Sequence, residues 1–106
     1  MKIHVIAIDF DGVIHDNEHP SPGRRMGLPM KGAAEALAVF ESKGYSIVVF
    51  SIWAGDEHGK KIIGDWMNYF KLPFTRITNI KPDADYYIDN KGIHFTTWEE
   101  VLPQII

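Results

Sequence analysis

A chain of 106 residues, 45% hydrophobic and 24% charged, has room for one globular core and none for a second domain of ordinary size. Its formal net charge of -3 argues against a protein built mainly to grip nucleic-acid backbone. The absence of cysteine excludes a disulfide framework, a cysteine zinc site and a thiolate nucleophile.

The start, Met1-Lys2-Ile3-His4, leads straight into a strand-like run rather than a signal peptide, and no apolar stretch approaches the roughly 20 residues that span a bilayer. A soluble protein is expected, and a cysteine-free composition fits the cytoplasm. From Ile3 to Ile8 the near-continuous apolar run predicts a strand covered on both faces. It ends abruptly in Asp9-Phe10-Asp11-Gly12. Two carboxylates one residue apart at the mouth of a core repel each other and are costly to desolvate, so something must offset that cost. From Gly12 to Lys31 the pattern breaks, and Pro20, Pro22, Gly23, Gly27 and Pro29 predict a long structured loop with room for a short hairpin. His15 and His19 lie four apart in it, but Pro20 and the turn-rich context argue against a helix that would align them as metal ligands.

Gly32 to Lys43 reads as a helix with Ala33, Ala36, Leu37 and Phe40 on one face and Gly44 as its stop. Tyr45 to Ser51 is a second buried strand, rich in β-branched and aromatic residues. Asp56 to Lys71 is another helix, its early turns weakened by Gly59 and Gly64, and its stripe of Ile62, Trp66 and Phe70 is assigned to the core. Leu72 to Ile77, Tyr86 to Ile88 and Ile93 to Phe95 supply three further strands. Thr97 caps a last helix running through Leu102, with Glu100 completing a capping box.

This alternation implies an α/β fold: a doubly wound, mainly parallel Rossmann-like sheet with helices on both faces, in one domain over 1–106. Residues 12–31 form a loop or flap near the site, and no full cap domain is present. No GxGxxG follows the first strand and no phosphate-binding GxxxxGK[ST] occurs anywhere.

In such a sheet, ligands bind beyond the carboxyl ends of the strands, where strand order reverses. The first strand delivers Asp9 and Asp11 there, the second Ser51, and the fourth Asp89 followed by Asn90, while Lys81 sits in the loop before the fourth strand. Three carboxylates, a hydroxyl and an ammonium at one rim suit a magnesium ion and a phosphate group. The cation would neutralise the repulsion between the acids, and Lys81 and Ser51 would hold the remaining phosphate oxygens.

The sequence Asp9-Phe10-Asp11-Gly12-Val13 resembles the first motif of the haloacid dehalogenase-like superfamily of phosphohydrolases. Ser51 after "IVVF" resembles its second motif, Lys81-Pro82 its third and Asp89-Asn90 after "YYI" its fourth, in family order over nearly the whole chain. The resemblance implies that Asp9 is a nucleophile that becomes an aspartyl phosphate and that Asp11 is first general acid, then general base. It implies further that Asp9, Asp89 and the main-chain carbonyl of Asp11 bind Mg²⁺. Ser51 would then bond a phosphoryl oxygen, and Lys81 would stabilise the charge on nucleophile and phosphate. An acid at position 11 favours phosphate-ester hydrolysis over the dehalogenase branch.

Asn90 stands where many members carry a second acid, and it could orient a metal-bound water. Asp85 is set aside as a ligand because it begins the fourth strand, at the wrong end. The lid inserted by members acting on small metabolites is missing, so the open site suits a large substrate or one covered by a second subunit of a homo-oligomer. Trp53 either stacks on a base or sugar or packs on the helix after it. Arg24 and Arg25 either clamp a second phosphate or a nucleic-acid backbone, or lie solvated in their loop. The expected activity is therefore Mg-dependent hydrolysis of a phosphate monoester, on a small molecule or a nucleic-acid end, with nucleotide and polynucleotide phosphates suggested by the missing lid, Trp53 and the Arg pair. The rival reading is a non-catalytic regulatory module on the same fold. Phosphoacceptor receiver domains end their third strand in the phosphorylated Asp, however, and "FTRITNI" supplies no acid there.

Overall fold

In the computed structural model, which describes residues 4–20, 26–89 and 93–106, the apolar run after His4 becomes strand β1 (Val5–Asp9). Its Ile6, Ala7 and Ile8 are fully buried, as a strand covered on both faces requires. A hairpin of β2 (His15–Pro20) and β3 (Gly27–Pro29) follows, and then α1 (Ala33–Ser42), β4 (Ser46–Phe50) and a single 3-10 turn, Ile52–Gly55. The chain continues through α2 (Glu57–Tyr69), β5 (Arg76–Thr78), β6 (Tyr86–Asp89), β7 (Ile93–His94) and α3 (Trp98–Ile105).

Five strands form one sheet in the order β5-β4-β1-β6-β7, and every neighbouring pair is parallel. The chain moves outward from β1 through β4 to β5, then returns to the far side of β1 for β6 and β7. Strand order therefore reverses at β1, where a crevice opens beyond the carboxyl ends. Each parallel connection needs a crossover, which α1 and α2 provide for the first two. Phe40 of α1, Met67 of α2 and Val101 of α3 are fully buried in the same core cluster as Ile6, Ile8 and Val49. Burial of one such side chain contributes about 1.5–3 kcal/mol. None of the described helices is long and apolar enough to cross a membrane.

The expected loop from Gly12 to Lys31 contains a real hairpin, paired antiparallel from His15 with Pro29 to Pro20 with Gly27. The helices begin and end within two residues of the sequence expectation at most ends. Asp56 is the N-cap of α2, its carboxylate accepting from the Gly59 N–H at 2.7 Å. Three details differ. The third strand is displaced toward Arg76–Thr78, because Pro73 and Phe74 precede the ladder with β4. The capping box at Thr97 is only half formed. Thr97 Oγ1 accepts from the Glu100 N–H, but the Glu100 carboxylate is taken by the Thr96 hydroxyl at 2.7 Å. Helix α3 also runs past Leu102 through Pro103; the carbonyl deprived of its partner there belongs to the exposed Glu99, which water can satisfy.

Candidate functional site

The register of the central strands decides what gathers at the reversal point. Asp9 lies level with Phe50 of β4, and Ile8 lies level with Ile88 of β6. Asp89 therefore stands beside Asp9 on one neighbour, and Ser51 one residue beyond it on the other. With strands about 4.8 Å apart, the three side chains share one short edge.

Each is held there by local structure. Ser51 is buried; its N–H donates to the Thr78 carbonyl at 3.0 Å, and its Oγ accepts from the Trp53 N–H at 3.2 Å. That second bond caps the 3-10 turn, and among the described residues no acceptor takes the hydroxyl proton. Asp89 is buried and its Oδ2 is bonded to the Lys81 ammonium. Lys81 Nζ also sits 4.9 Å from the centre of the Tyr87 ring and 5.6 Å from that of Phe50, so two aromatic faces steer the cation. The loop carrying Lys81 is anchored by Tyr87, whose hydroxyl donates to the Pro82 carbonyl and accepts from the Ala84 N–H.

Asp9 carries the electrostatic strain of the arrangement. Burial pushes its carboxyl above the ordinary value; a hydrogen bond from the Phe10 backbone opposes that, the charges of Asp11 and Asp89 add to the rise, and Lys81 opposes it. The question raised by two neighbouring acids thus has a partial answer in Lys81.

Asp11 is turned elsewhere. Past Phe10 the chain reverses tightly at Gly12, whose φ of 80° is left-handed, and closes with Gly12 N–H to His15 carbonyl (2.8 Å) and His15 N–H to Phe10 carbonyl (2.9 Å). This brings the imidazole of His15 to Asp11, with Nδ1 2.8 Å from Oδ1. The expected rim of three carboxylates is therefore not built as one metal-holding group, because Asp11 faces His15 and Asp89 faces Lys81. Among the described residues no cluster of three or more acidic or histidine side chains is arranged to hold a metal.

Asp11 and His15 also line a cavity of about 310 Å³, together with Met26, Trp53, Asp56 and Ile62. The indole of Trp53 is 64% exposed, so packing on the following helix does not bury it. Trp66 is buried and Phe70 packs against the core as expected, whereas Ile62, also expected there, is 43% exposed at this cavity, and Ile63 and Met67 complete the buried face of α2. Gly59, which weakens α2 by propensity, is required by contact: a Cβ there would lie 1.6 Å from the Trp53 carbonyl oxygen. Gly59→Ala should therefore destabilise the protein by about 1–3 kcal/mol, read as a lower melting temperature, because the 3-10 turn must move.

Asp85 lies at the opposite end of the sheet, accepting from the Val5 N–H at 2.7 Å. Arg24, Arg25 and Asn90 fall outside the described residues. The residue that sequence reasoning missed is His15. Its only sequence signal is an imidazole four positions after Asp11 across a glycine turn.

Fold and site define a single α/β domain with polar groups at the carboxyl edge of a parallel sheet. No family model and no curated protein matches the chain. A conserved protein from Bacteroides thetaiotaomicron with a solved structure has the same fold. The match covers 98% of this chain and 90% of that one, with a TM-score of 0.75 at 20% identity. Similarity at that level carries the fold alone.

Proposed function

We propose that the protein is a magnesium-dependent phosphate-monoester hydrolase of the haloacid dehalogenase-like type, acting through an aspartyl phosphate on Asp9. The observation that carries this reading is the shared edge: Asp9 flanked by Ser51 and by the Lys81–Asp89 pair, on adjacent strands at the reversal point. A carboxylate there can attack phosphorus, a hydroxyl and an ammonium can hold the phosphoryl oxygens, and Asp11 lies at the cavity into which an alcohol would leave.

In the first step a carboxylate oxygen of Asp9 bonds to phosphorus, the ester P–O bond breaks, and the leaving oxygen takes a proton from Asp11. In the second, water attacks phosphorus and gives its proton to Asp11. The Asp9–phosphorus bond breaks, inorganic phosphate leaves and both acids are restored. Lys81 balances the charge on Asp9 and the phosphoryl group, and Ser51 orients one of its oxygens. Two carboxylates, Asp9 and Asp89, and the Asp11 carbonyl are hard oxygen donors that fit Mg²⁺ in type, with phosphate and water oxygens completing the number. The ion would lower the repulsion between the acids and offset charge on the phosphoryl oxygens.

The exposed Trp53 beside the cavity favours a substrate with a ring to stack, in keeping with nucleotide or polynucleotide phosphates. A panel of phosphate esters assayed with magnesium and with chelator tests the reading. Release of phosphate that depends on magnesium is the expected result, and no turnover of any ester overturns it.

A further inference from the structure

Three hydrogen bonds link α2 to the acid, the first two buried and the last part-buried. The Trp66 indole N–H donates to the Gly27 carbonyl at 3.0 Å, and the Gly27 N–H donates to His15 Nε2 at 2.8 Å. His15 Nδ1 lies 2.8 Å from Asp11 Oδ1. Because Nε2 accepts from a backbone N–H, the imidazole is neutral and its one ring proton sits on Nδ1, which makes His15 the donor to Asp11. The ring has no freedom to do otherwise. It is 6% exposed, stacks on Phe10 at 5.0 Å and 12°, and takes the edge of Trp66 at 5.3 Å. The bond accepted at Nε2 polarises the ring and strengthens the one that Nδ1 donates.

We infer that His15 is the positioning residue for Asp11: it fixes Oδ1, assigns Oδ2 to the proton exchanged with ester and water, and keys the acid to the returning strand of the hairpin through Gly27. The inference rests on the phosphatase reading. It adds a residue whose contribution is geometric, since a carboxylate free to rotate would meet the leaving oxygen in only a fraction of encounters. A purely structural account would have His15 do no more than tie Gly27 to the core.

Two substitutions separate these accounts. In His15→Asn the side-chain amide can occupy the place of Nδ1, keeping the donor to Asp11 and losing the acceptor for Gly27. In His15→Gln the amide reaches the place of Nε2, keeping the acceptor for Gly27 and losing the donor to Asp11. With p-nitrophenyl phosphate the leaving group needs no proton, so the first step survives and the second, which needs Asp11 as base, becomes limiting. His15→Gln should release about one equivalent of p-nitrophenol rapidly and then turn over about 100-fold more slowly than wild type. His15→Asn should stay within about 10-fold of wild type. The reverse order, or no change in either, overturns the inference and leaves the phosphatase reading standing. Absence of hydrolysis by wild type overturns both. Nitrogen NMR of the wild-type imidazole gives a reading that needs no variant: a proton on Nδ1 is expected, and a proton on Nε2 overturns the inference.

Discussion

Asp9→Asn should abolish phosphate-ester hydrolysis and, in chelator at neutral pH, raise the melting temperature. The loss of activity should be at least about 1,000-fold, because the amide cannot form the phosphorylated intermediate and no other group on the edge replaces it. The gain in stability follows from the same carboxylate. Burial and the neighbouring acids hold the Asp9 pKa above its ordinary value in the folded protein. Below the ordinary aspartate range the group is protonated in both the folded and the unfolded chain, and nothing is lost. As pH rises the unfolded chain ionises first, and stability falls until pH has passed the folded-state value. Wild type therefore carries the whole penalty at neutral pH, and the amide removes it. A melting temperature above that of wild type is therefore expected at neutral pH. Thermal unfolding across pH checks the sign: the gap between variant and wild type should close in acid.

Asp11→Asn should have the second largest effect, and a different kinetic form. The amide keeps an oxygen to accept from His15, so the hairpin and its bonds survive. It cannot give a proton to an alkoxide or take one from water. Hydrolysis of alkyl phosphates should fall by about 10²–10⁴, the range for loss of a general acid or base. With p-nitrophenyl phosphate the first step should proceed and the second stall, so the phosphorylated enzyme accumulates. Rapid-mixing measurement of p-nitrophenol release distinguishes this from an inactive fold, which gives no early release.

The apolar run of Val5 to Ile8 and the "IVVF" before Ser51 declare buried strands on their own. Once those strands are parallel neighbours, Asp9, Ser51 and Asp89 must meet, since each follows the last apolar residue of its strand. That part of the site was legible because a strand's end is a local property. Which partner each acid takes was not. Lys81 reaches Asp89 from across a loop, and His15 reaches Asp11 only after the hairpin closes and Gly27 supplies an N–H from twelve residues away. The strands of that hairpin were also hard to read: "HDNEHP" has no apolar alternation, and the paired strand is held at Gly27, whose carbonyl accepts from the Trp66 indole. In α2 the periodicity marks a stripe but not its edges. Ile62 and Ile63 fit it equally well, and only the cavity beside Trp53 decides that Ile62 faces outward.

The central claim is that Asp9 is transiently phosphorylated during turnover. Acid-quenched mass spectrometry of the peptide carrying Asp9, sampled while the protein turns over p-nitrophenyl phosphate with magnesium, tests it most directly. The account predicts one phosphoryl group on Asp9 that decays within seconds as inorganic phosphate appears. Phosphate release with Asp9 unmodified, or a phosphoaspartate that persists for many minutes as in a regulatory switch, would contradict it.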